Sequence, residues 1–489
     1  MEPRVRFEFA AMSATLLTAC MVGPDFQRPA WPTPSAYTRE DLPSLSGSDQ
    51  QLVPGQNPVA GWWRLFGSAE LDDTIERALS ENRDLAAAEA TLAQAREAVS
   101  ASAGALYPQV DLDASSGRQK YGAQFRGSQY FPPFTYFSLG PSVSYVLDYT
   151  GGERRAVEQQ QALAGHQAYQ LQAAYLNLTG DIVEQALMIA STGAQIEAVE
   201  SLLAEDRQNL TLVQTAFDAG SVSRVDVLSA QSQLAQDQTL LAPLRQQLSL
   251  ARHALSILAG HAPADWAPPN FHLTALRLPR TLPLTVPSEL AHRRPDILAS
   301  ESQLHAATAA VGVATSGLYP QITLAAAAGQ QSLQLTHLFD NSSTAWNLAA
   351  GLSAPLFDGG TRRAQRRAAL DAMQAALAHY QQTVLRSFGQ VADVLTALDH
   401  DAEQLAAQKN ALDSAEASLN LSRQSYSFGN SGVLQVLDAG RLYQQARLGY
   451  LRAQAQRYQD TVQLFLALGG SDPGQTPSGS PLVRNSYDQ

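Results

Sequence analysis

The residues best placed to act on charged species are an aspartate and an arginine late in the sequence. Leu434, Asp438 and Arg441 stand at i, i+4 and i+7, so in a helix they share one face. An Asp and an Arg three residues apart attract each other as a surface ion pair. The chemistry they offer is electrostatic rather than covalent. From the residues alone, a routine surface pair is the favoured interpretation.

No group of residues has the spacing of a catalytic or metal-binding motif. The nine histidines are scattered, and a single cysteine leaves no pair for a metal or a disulfide. There is no His-Glu-x-x-His spacing, no phosphate-cradling glycine loop and no nucleophile elbow with partners. The pairs Gly151-Gly152 and Gly359-Gly360 are better interpreted as strand-to-helix turns. We therefore expect no enzyme, no metal site and no diffusible cofactor.

The composition limits the kinds of partner and of membrane span that the chain can have. A formal net charge of −12 argues against nucleic acid as a partner. Hydrophobic residues make up 45% of the chain and charged residues 16%, which suggests neither disorder nor a bundle of membrane helices. No uninterrupted apolar run reaches the roughly 18 residues that a spanning helix needs. Any membrane span would then have to be a β-barrel.

The cysteine is informative because of what precedes it. Arg4 and Arg6 come before a short apolar segment that ends in Leu-Thr-Ala-Cys20, which is typical of a bacterial lipoprotein signal. We expect residues 1–19 to be removed and Cys20 to carry a covalent lipid, with residues 20–60 as a polar, proline-rich tether. Glu8 is an unusual charge in such a signal, so an ordinary short hydrophobic N-terminus remains the alternative.

The chain contains two copies of one unit. At an offset of 212 residues, segment 82–112 aligns with segment 294–324, and both contain Leu-Tyr-Pro-Gln. Later matches keep their order at offsets of 208 and 209, which indicates a tandem duplication of about 210 residues. The expected organisation is a first repeat over 61–270, a second repeat over 271–470 and a flexible tail over 471–489.

Each copy places a proline between two apolar patterns. A helical pattern runs into Tyr107-Pro108 and into Tyr319-Pro320, and proline ends a helix and favours extended backbone before it. Alternating apolar residues follow, which predicts hairpins at about 108–148 and about 320–357. Strands of roughly ten residues suit a tilted transmembrane β-strand. An aromatic cluster about the first loop resembles an interfacial girdle: Phe125, Tyr130, Phe131, Phe134, Tyr136 and Phe137.

Long helical patterns follow each Gly-Gly pair, over 152–258 and 360–468. Apolar residues recur at steps of seven, from Tyr175 to Phe217 and from Leu370 to Tyr426, which is a coiled-coil signature. Each run ends near a glycine and turns into a returning helix.

Four strands cannot close a membrane barrel, because the smallest such barrels have eight strands. Open strand edges cannot face lipid, so the pattern requires an oligomer: two chains give eight strands and three give twelve. The residues alone predict a β-barrel continued by a long α-helical tube, and they leave the number of chains open.

Several motifs together resemble the outer membrane factor family that includes TolC and OprM, on its NodT-type lipoprotein branch. The resemblance covers about 20–470 and implies a homotrimer with a twelve-stranded outer-membrane barrel above a coiled-coil periplasmic tunnel. It also implies a periplasmic adaptor and an inner-membrane pump, of the RND type or another, as partners. The motifs that carry the resemblance are Cys-Met-Val-Gly-Pro-Asp-Phe-Gln-Arg-Pro (20–29), Gly-Trp-Trp-Arg-Leu-Phe (61–66), Arg-Arg-Pro-Asp-Ile (293–297), Pro-Leu-Phe-Asp-Gly-Gly (355–360) and Val-Leu-Asp-Ala (436–439).

The resemblance assigns roles to the late Leu, Asp and Arg that share one helix face. It implies that Leu434, Asp438 and Arg441 form a gate at the inner end of the tunnel, where Gly440 stands in place of the usual Gln. The corresponding residues of the first copy, Val225, Ser229 and Ser232, lack the charges. We expect the turns to contact the adaptor and the Tyr-Pro junctions to mark the inner lipid interface. The turn residues are Asp218, Gly220, Ser221, Gly429, Asn430 and Gly432.

Two other functions are weighed against an efflux duct. A soluble coiled-coil scaffold would explain the heptads but not two hairpins at matched positions. A duct for polypeptide (type I) secretion with an ABC exporter has the same architecture, and the lipoprotein branch favours small-molecule efflux without excluding it.

Overall fold

The computed structural model describes residues 21–30, 34, 36–39, 45, 49–122 and 132–470. It divides into two compact units. Of the described residues, those within 21–30, 91–168 and 299–380 form the first unit, and those within 31–90, 169–298 and 381–470 form the second. No helix in the described ranges is long and apolar enough to cross a membrane.

The long helices predicted from the heptads are confirmed, and each of the two longest has 67 residues. Three short 3₁₀ turns accompany them, at Trp62–Phe66, Leu335–His337 and Asn341–Ser343. The α-helices are α1 (Ala69–Glu81), α2 (Arg83–Gly104), α3 (Gly152–Asp218), α4 (Arg224–Gln238), α5 (Leu241–Leu258), α6 (Pro287–Leu290), α7 (Pro295–Ser316), α8 (Thr361–Ser427) and α9 (Val433–Ala467).

Four strands in the first unit form one antiparallel sheet, in the order Gln109–Gln119, Phe134–Val146, Gln321–Ser332 and Thr344–Ser353, which confirms the predicted pair of hairpins. The hairpins come from different copies, and the second strand of the first hairpin pairs with the first strand of the second hairpin. The strands are β1 (Gln51–Pro54), β2 (Gln109–Gln119), β3 (Phe134–Val146), β4 (Thr281–Leu284), β5 (Gln321–Ser332) and β6 (Thr344–Ser353).

A proline in the middle of β3 has a local explanation. Pro141 pairs with Leu112 of β2 but falls in a gap of the β3–β5 ladder, which passes from Leu139 to Ser142. Proline has no N–H to donate, so it is tolerated where the ladder is interrupted. The alternating pattern predicts this strand only from Val143 onward, because Pro141 interrupts the alternation and the first half of the strand is not recognised as extended.

The last strand is shorter than its alternating pattern predicts. β6 ends at Ser353, whereas the alternation continues to Leu356. Pro355, two residues after the strand, has no N–H for a ladder bond. Leu356 and Phe357 lie almost fully exposed in the turn that leads to α8.

The returning helix of the first copy is divided, whereas that of the second copy is continuous. α4 ends at Gln238 and α5 begins at Leu241. Pro243 lacks an N–H, and its ring excludes the carbonyl of Thr239 from a helical bond, which accounts for the break. The corresponding part of α9 contains no proline, and the helix runs unbroken for 35 residues.

The end of the predicted tether is ordered rather than free. Gln50 is buried, and its amide donates to the Pro279 carbonyl at 2.9 Å. The next residues form β1, which pairs in parallel with β4. This end of the tether predicted over 20–60 is therefore packed against distant segments of the chain, whose side chains provide partners that the composition of the tether does not reveal.

The second unit has an aromatic core built on the Gly-Trp-Trp-Arg-Leu-Phe motif. The ring of Trp62 stacks on that of Phe465 with centroids 5.1 Å apart, and Phe66 and Tyr458 are in ring contact at 6.2 Å. Gly61 starts the turn with φ = 67°, a conformation that glycine adopts without strain. The motif thus packs the start of the first repeat against α9.

Candidate functional site at the helix turns

Leu434, Asp438 and Arg441 lie near the start of α9 and share one exposed face. Leu434 is 49% exposed, and the side chains of Asp438 and Arg441 are 63% and 40% exposed. The Arg441 Nη2 donates to Asp438 Oδ1 at 2.7 Å. The structure therefore brings the three predicted gate residues together, with the two charged ones forming the i, i+3 surface pair that the spacing predicts.

A neighbouring face of the same helix is packed. Val433 and Leu437 of α9 contact a buried cluster, and Ala439 and Gly440 are also buried. The cluster consists of Val213, Val227 and Ala230, from the end of α3 and the start of α4. Because the buried face fixes how the helix is rotated, it determines that Leu434, Asp438 and Arg441 point outward.

Gly440 leaves room for a carboxylate from α3. A β-carbon at this position would lie 3.9 Å from Glu205 Oε2 and 3.8 Å from a methyl of Leu419, so a small side chain fits. A side chain as long as Gln would have to displace one of these neighbours. Glu205 also faces Arg423 of α8, whose guanidinium lies 3.7 Å away.

The two turns that carry the predicted adaptor contacts have the same backbone design. Gly220 has φ = 76°, its N–H donates to Phe217, and the N–H of Ser221 donates to Ala216. Gly429 has φ = 75°, its N–H donates to Tyr426, and the N–H of Asn430 donates to Ser425. Both are Schellman motifs with glycine in the left-handed position. The duplication found in the sequence is therefore repeated in the hydrogen bonds of the turns.

The helices after the turns begin differently. Ser223 and Asp226 form a capping box at α4, since the Ser223 hydroxyl accepts from the Asp226 N–H and the Asp226 carboxylate accepts from the Ser223 N–H. α9 follows Gly432, which has no side chain to cap the helix. A capping box satisfies two of the free N–H groups of a first turn. The start of α9, which carries the gate candidates, is thus less firmly fixed by local bonds.

Sequence reasoning missed two buried carboxyl pairs between outgoing and returning helices. Burial, then the facing Asp237 of α4, raises the pKa of Asp206 in α3 to about 7. Burial, then the facing Asp460 of α9, raises the pKa of Asp401 in α8 to about 7. A signal was present: Asp206, Asp237 and Asp401 each stand three residues after a heptad leucine, a position that normally faces the partner helix.

Each Tyr-Pro pair lies between a helix and a strand in the first unit. α2 ends at Gly104 and β2 begins at Gln109, while α7 ends at Ser316 and β5 begins at Gln321. Tyr107 and Tyr319 are exposed. The hydroxyl of Tyr149 donates to the Pro320 carbonyl at 2.5 Å, which ties the end of the first hairpin to the second junction.

Some of the predicted features lie outside the described residues. These are Cys20, the signal segment 1–19, the tail 471–489 and the aromatic residues Phe125, Tyr130 and Phe131. Among the residues that are described, no group of three or more His, Cys, Asp or Glu side chains is arranged to hold a metal ion.

Comparison with known proteins identifies the class. The sequence profile of the outer membrane efflux protein family matches residues 74–261 and 286–470, which are the two repeats. The chain belongs to this family. It is therefore an outer-membrane efflux protein and not an enzyme.

Individual relatives cover nearly the whole chain. The pyoverdine export outer membrane protein OpmQ of Pseudomonas putida is 32% identical over 443 residues, covering 89% of this chain and 92% of the relative. The toluene efflux pump outer membrane protein TtgI of Pseudomonas putida is 29% identical over 475 residues, covering 95% and 98%. The solved structure of the outer-membrane channel OprN is similar, with a TM-score of 0.85, 27% identity and coverage of 92% and 99%.

Proposed function

We propose that the chain is the exit duct of a tripartite efflux system, which passes small molecules from an inner-membrane pump and a periplasmic adaptor across the outer membrane. The observation that carries the proposal is the exposed face of Leu434, Asp438 and Arg441 beside a helix turn. The packing of α9 against the buried apolar cluster orients this face toward solvent. Relatives that cover nearly the whole chain are named for export of toluene and of pyoverdine, which favours small-molecule cargo over polypeptide.

We propose that the duct consists of three chains. The strands of the four-stranded sheet have 10 to 13 residues, enough to cross a bilayer when tilted. β2 and β6 are the outer strands of the sheet, so pairing β6 of one chain with β2 of the next would close a barrel. Three chains supply twelve strands and three copies of each helix pair, which would continue the barrel as a periplasmic tunnel.

In such a trimer the gate would consist of two rings around the axis. Three copies of Leu434 would make an apolar constriction, and three copies of Asp438 would attract cations and disfavour anions. Arg441 holds Asp438 at 2.7 Å in one chain. In the closed assembly, its guanidinium would also reach a neighbouring helix and act as a latch.

Cys20 is the proposed attachment point for the lipid. Its preceding Leu-Thr-Ala and the two early arginines are the support for this assignment. The lipid would hold the chain in the outer membrane in addition to the barrel.

The trimer is tested by measuring the mass of the detergent-solubilised protein from an outer-membrane fraction. We expect three chains and a complex that dissociates only on heating in detergent. A complex of two chains, or a monomer, would contradict the twelve-stranded arrangement.

Adaptor docking is tested with a photo-crosslinking residue at Ser221 or at Asn430. We expect both positions to capture a periplasmic adaptor, because each lies in an exposed turn at the end of a helix pair. A crosslinker at Asn410, an exposed position in the middle of α8, is the matched control. Equal capture from all three positions, or none from the turns, would overturn the assignment.

A further inference from the structure

Residues 21–30, which we call the strap, are bound along α3 and α7 of the first unit. The Val22 N–H donates to the Thr150 carbonyl at 3.0 Å. The Phe26 ring stacks on His305 with centroids 4.3 Å apart, and Arg28 Nε donates to Glu301 Oε1 at 2.7 Å. Contacts therefore run along most of the strap, which is not a free linker.

Arg155 is the centre of the binding groove. Its side chain is only 2% exposed; it donates to Glu158 Oε2 at 2.6 Å and to the Val22 carbonyl at 3.3 Å. It is also paired with Asp25 of the strap. A buried guanidinium must have such partners, because an unpaired charge is costly to bury. The strap thus supplies part of the negative charge and the hydrogen-bond acceptors that offset the cost of burying the Arg155 guanidinium.

Glycines set the depth of the groove. A β-carbon on Gly312 would come within 2.7 Å of Arg155 Cγ and 2.9 Å of the Val22 carbonyl oxygen. A β-carbon on Gly23 would come within 2.5 Å of the Gly312 Cα. The strap backbone therefore approaches α7 as closely as two glycines allow.

The groove combines α3 of the first copy with α7 of the second, and the positions that correspond to it in α8 and α2 carry different residues. At the offsets of the duplication, Arg363 corresponds to Arg155, while Arg366 replaces Glu158, Ala93 replaces His305 and Ser100 replaces Gly312. Arg363 is exposed. The carboxylate, the stacking ring and the glycine of the groove are thus specific to the pairing of α3 with α7.

We propose that the strap is a sequence-specific binding segment that binds only in the groove between α3 and α7 and so fixes the lipid anchor beside the turn between β3 and α3. Cys20 precedes Val22 by two residues, a reach of about 7 Å. The part of the inference that concerns the lipid rests on the proposed modification of Cys20. The seating of the strap depends only on the contacts of residues 21–30.

The test is hydrogen exchange at the Val22 amide in the purified full-length protein in detergent. Arg155→Ala, Gly312→Leu and Phe26→Ala should each abolish the protection of this amide. Arg363→Ala and Ser100→Leu, at the corresponding positions of α8 and α2, should leave it intact. Phe26→Ala changes only the strap, and continued protection of α7 amides in that variant shows that the groove is still folded. Protection of Val22 that survives Phe26→Ala and Arg155→Ala, or that is lost equally in Arg363→Ala, would overturn the proposal.

The lipid is tested separately by the mass of the N-terminal peptide and by Cys20→Ser. We expect Val22 to stay protected in Cys20→Ser, because the groove recognises the peptide. Loss of protection in that variant would show that the lipid holds the strap and would overturn sequence-specific seating. An N-terminal peptide without a lipid in the unchanged protein would refute the modification and leave the strap in place.

Discussion

The guanidinium of Arg441 donates to the carboxylate of Asp438 across 2.7 Å, and both side chains are open to solvent. An exposed pair of this kind contributes at most about 1 kcal/mol to stability. The start of α9 is held instead by the apolar contacts of Val433 and Leu437. The pair can therefore be removed without unfolding the helix, which makes it suitable for a functional test.

We expect Asp438→Ala combined with Arg441→Ala to raise single-channel conductance in planar bilayers. The change removes three carboxylates and three guanidinium groups from the proposed constriction while leaving the net charge unaltered. Lys409→Ala with Asp413→Ala is the matched control. The Lys409 Nζ lies 2.5 Å from Asp413 Oδ1, and this exposed pair lies on α8, outside the turns. Unchanged conductance in the gate variant would refute the gate assignment.

Stability should depend on pH through the buried Asp pairs. The pKa of Asp206 is raised from 3.8 to about 7, so between these values the native chain keeps a proton that the unfolded chain has released. The free energy of unfolding therefore falls as the pH rises from about 4 to about 7 and levels off above that. Glu205 on the same helix adds to the shift, and Gln233 of α4 donates to Asp237.

Replacing the acid by its neutral isostere removes this contribution. The melting temperature of Asp206→Asn combined with Asp401→Asn should vary less between pH 4 and 7 than that of the unchanged protein. Asp393→Asn, an exposed substitution on α8, is the control. A variant that keeps the full slope would show that the pairs are ionised in the native state.

Arg457 should be among the most costly side chains to remove. It is 1% exposed, bonds to the Leu398 carbonyl and to Gln50, and lies beside Asp401 and Asp460. Removing one partner of a buried charge pair typically costs about 3–5 kcal/mol. We expect such a loss for Arg457→Leu in chemical denaturation.

The comparison for this loss is Arg245→Leu, which breaks an exposed pair with Glu200. That change should cost less than about 1 kcal/mol. Similar losses in the two variants would mean that the Arg457 network does not stabilise the second unit.

Two glycines should respond to alanine in opposite ways. Gly193 lies inside α3 with nothing within 4 Å of an added β-carbon, so Gly193→Ala should stabilise by about 0.4–1 kcal/mol. Gly260 has φ = 85°, and its β-carbon would come within 2.4 Å of the Glu81 carbonyl oxygen. Gly260→Ala should therefore destabilise by more than about 1 kcal/mol. Thermal melts of the two variants that shift in the same direction would contradict this.

Features that are periodic or repeated could be predicted from the sequence. The heptads located the ends of α3 and α8 within one residue, at Phe217 and Tyr426, and the Gly-Gly pairs located the starts of both helices. The Tyr-Pro pairs located the start of β2 and β5, since proline restricts the backbone wherever it occurs. The gate candidates could be placed on one face because a helix has a fixed period.

Features that join distant parts of the chain could not be predicted. β1 and β4 are four residues each, too short for a periodic pattern, and Gln50 meets Arg457 across 407 positions of sequence. The composition of the strap is that of a linker. Its few specific side chains have binding partners only when they lie beside Arg155 and His305. Such contacts depend on packing, which one sequence does not display.

The sheet order has a consequence for how the protein must be made. In the described sheet, β2 and β6 each have a strand neighbour on one side only, and a strand border of this kind accepts any extended chain. In the proposed trimer, a newly made chain would carry two unpaired strand edges until it meets its partners. The rate of assembly depends on the concentration of chains, whereas the rate of misfolding need not. The yield of assembled protein would therefore depend on the rate of delivery or on a protein that covers the strand edges, and not on the stability of the native fold alone.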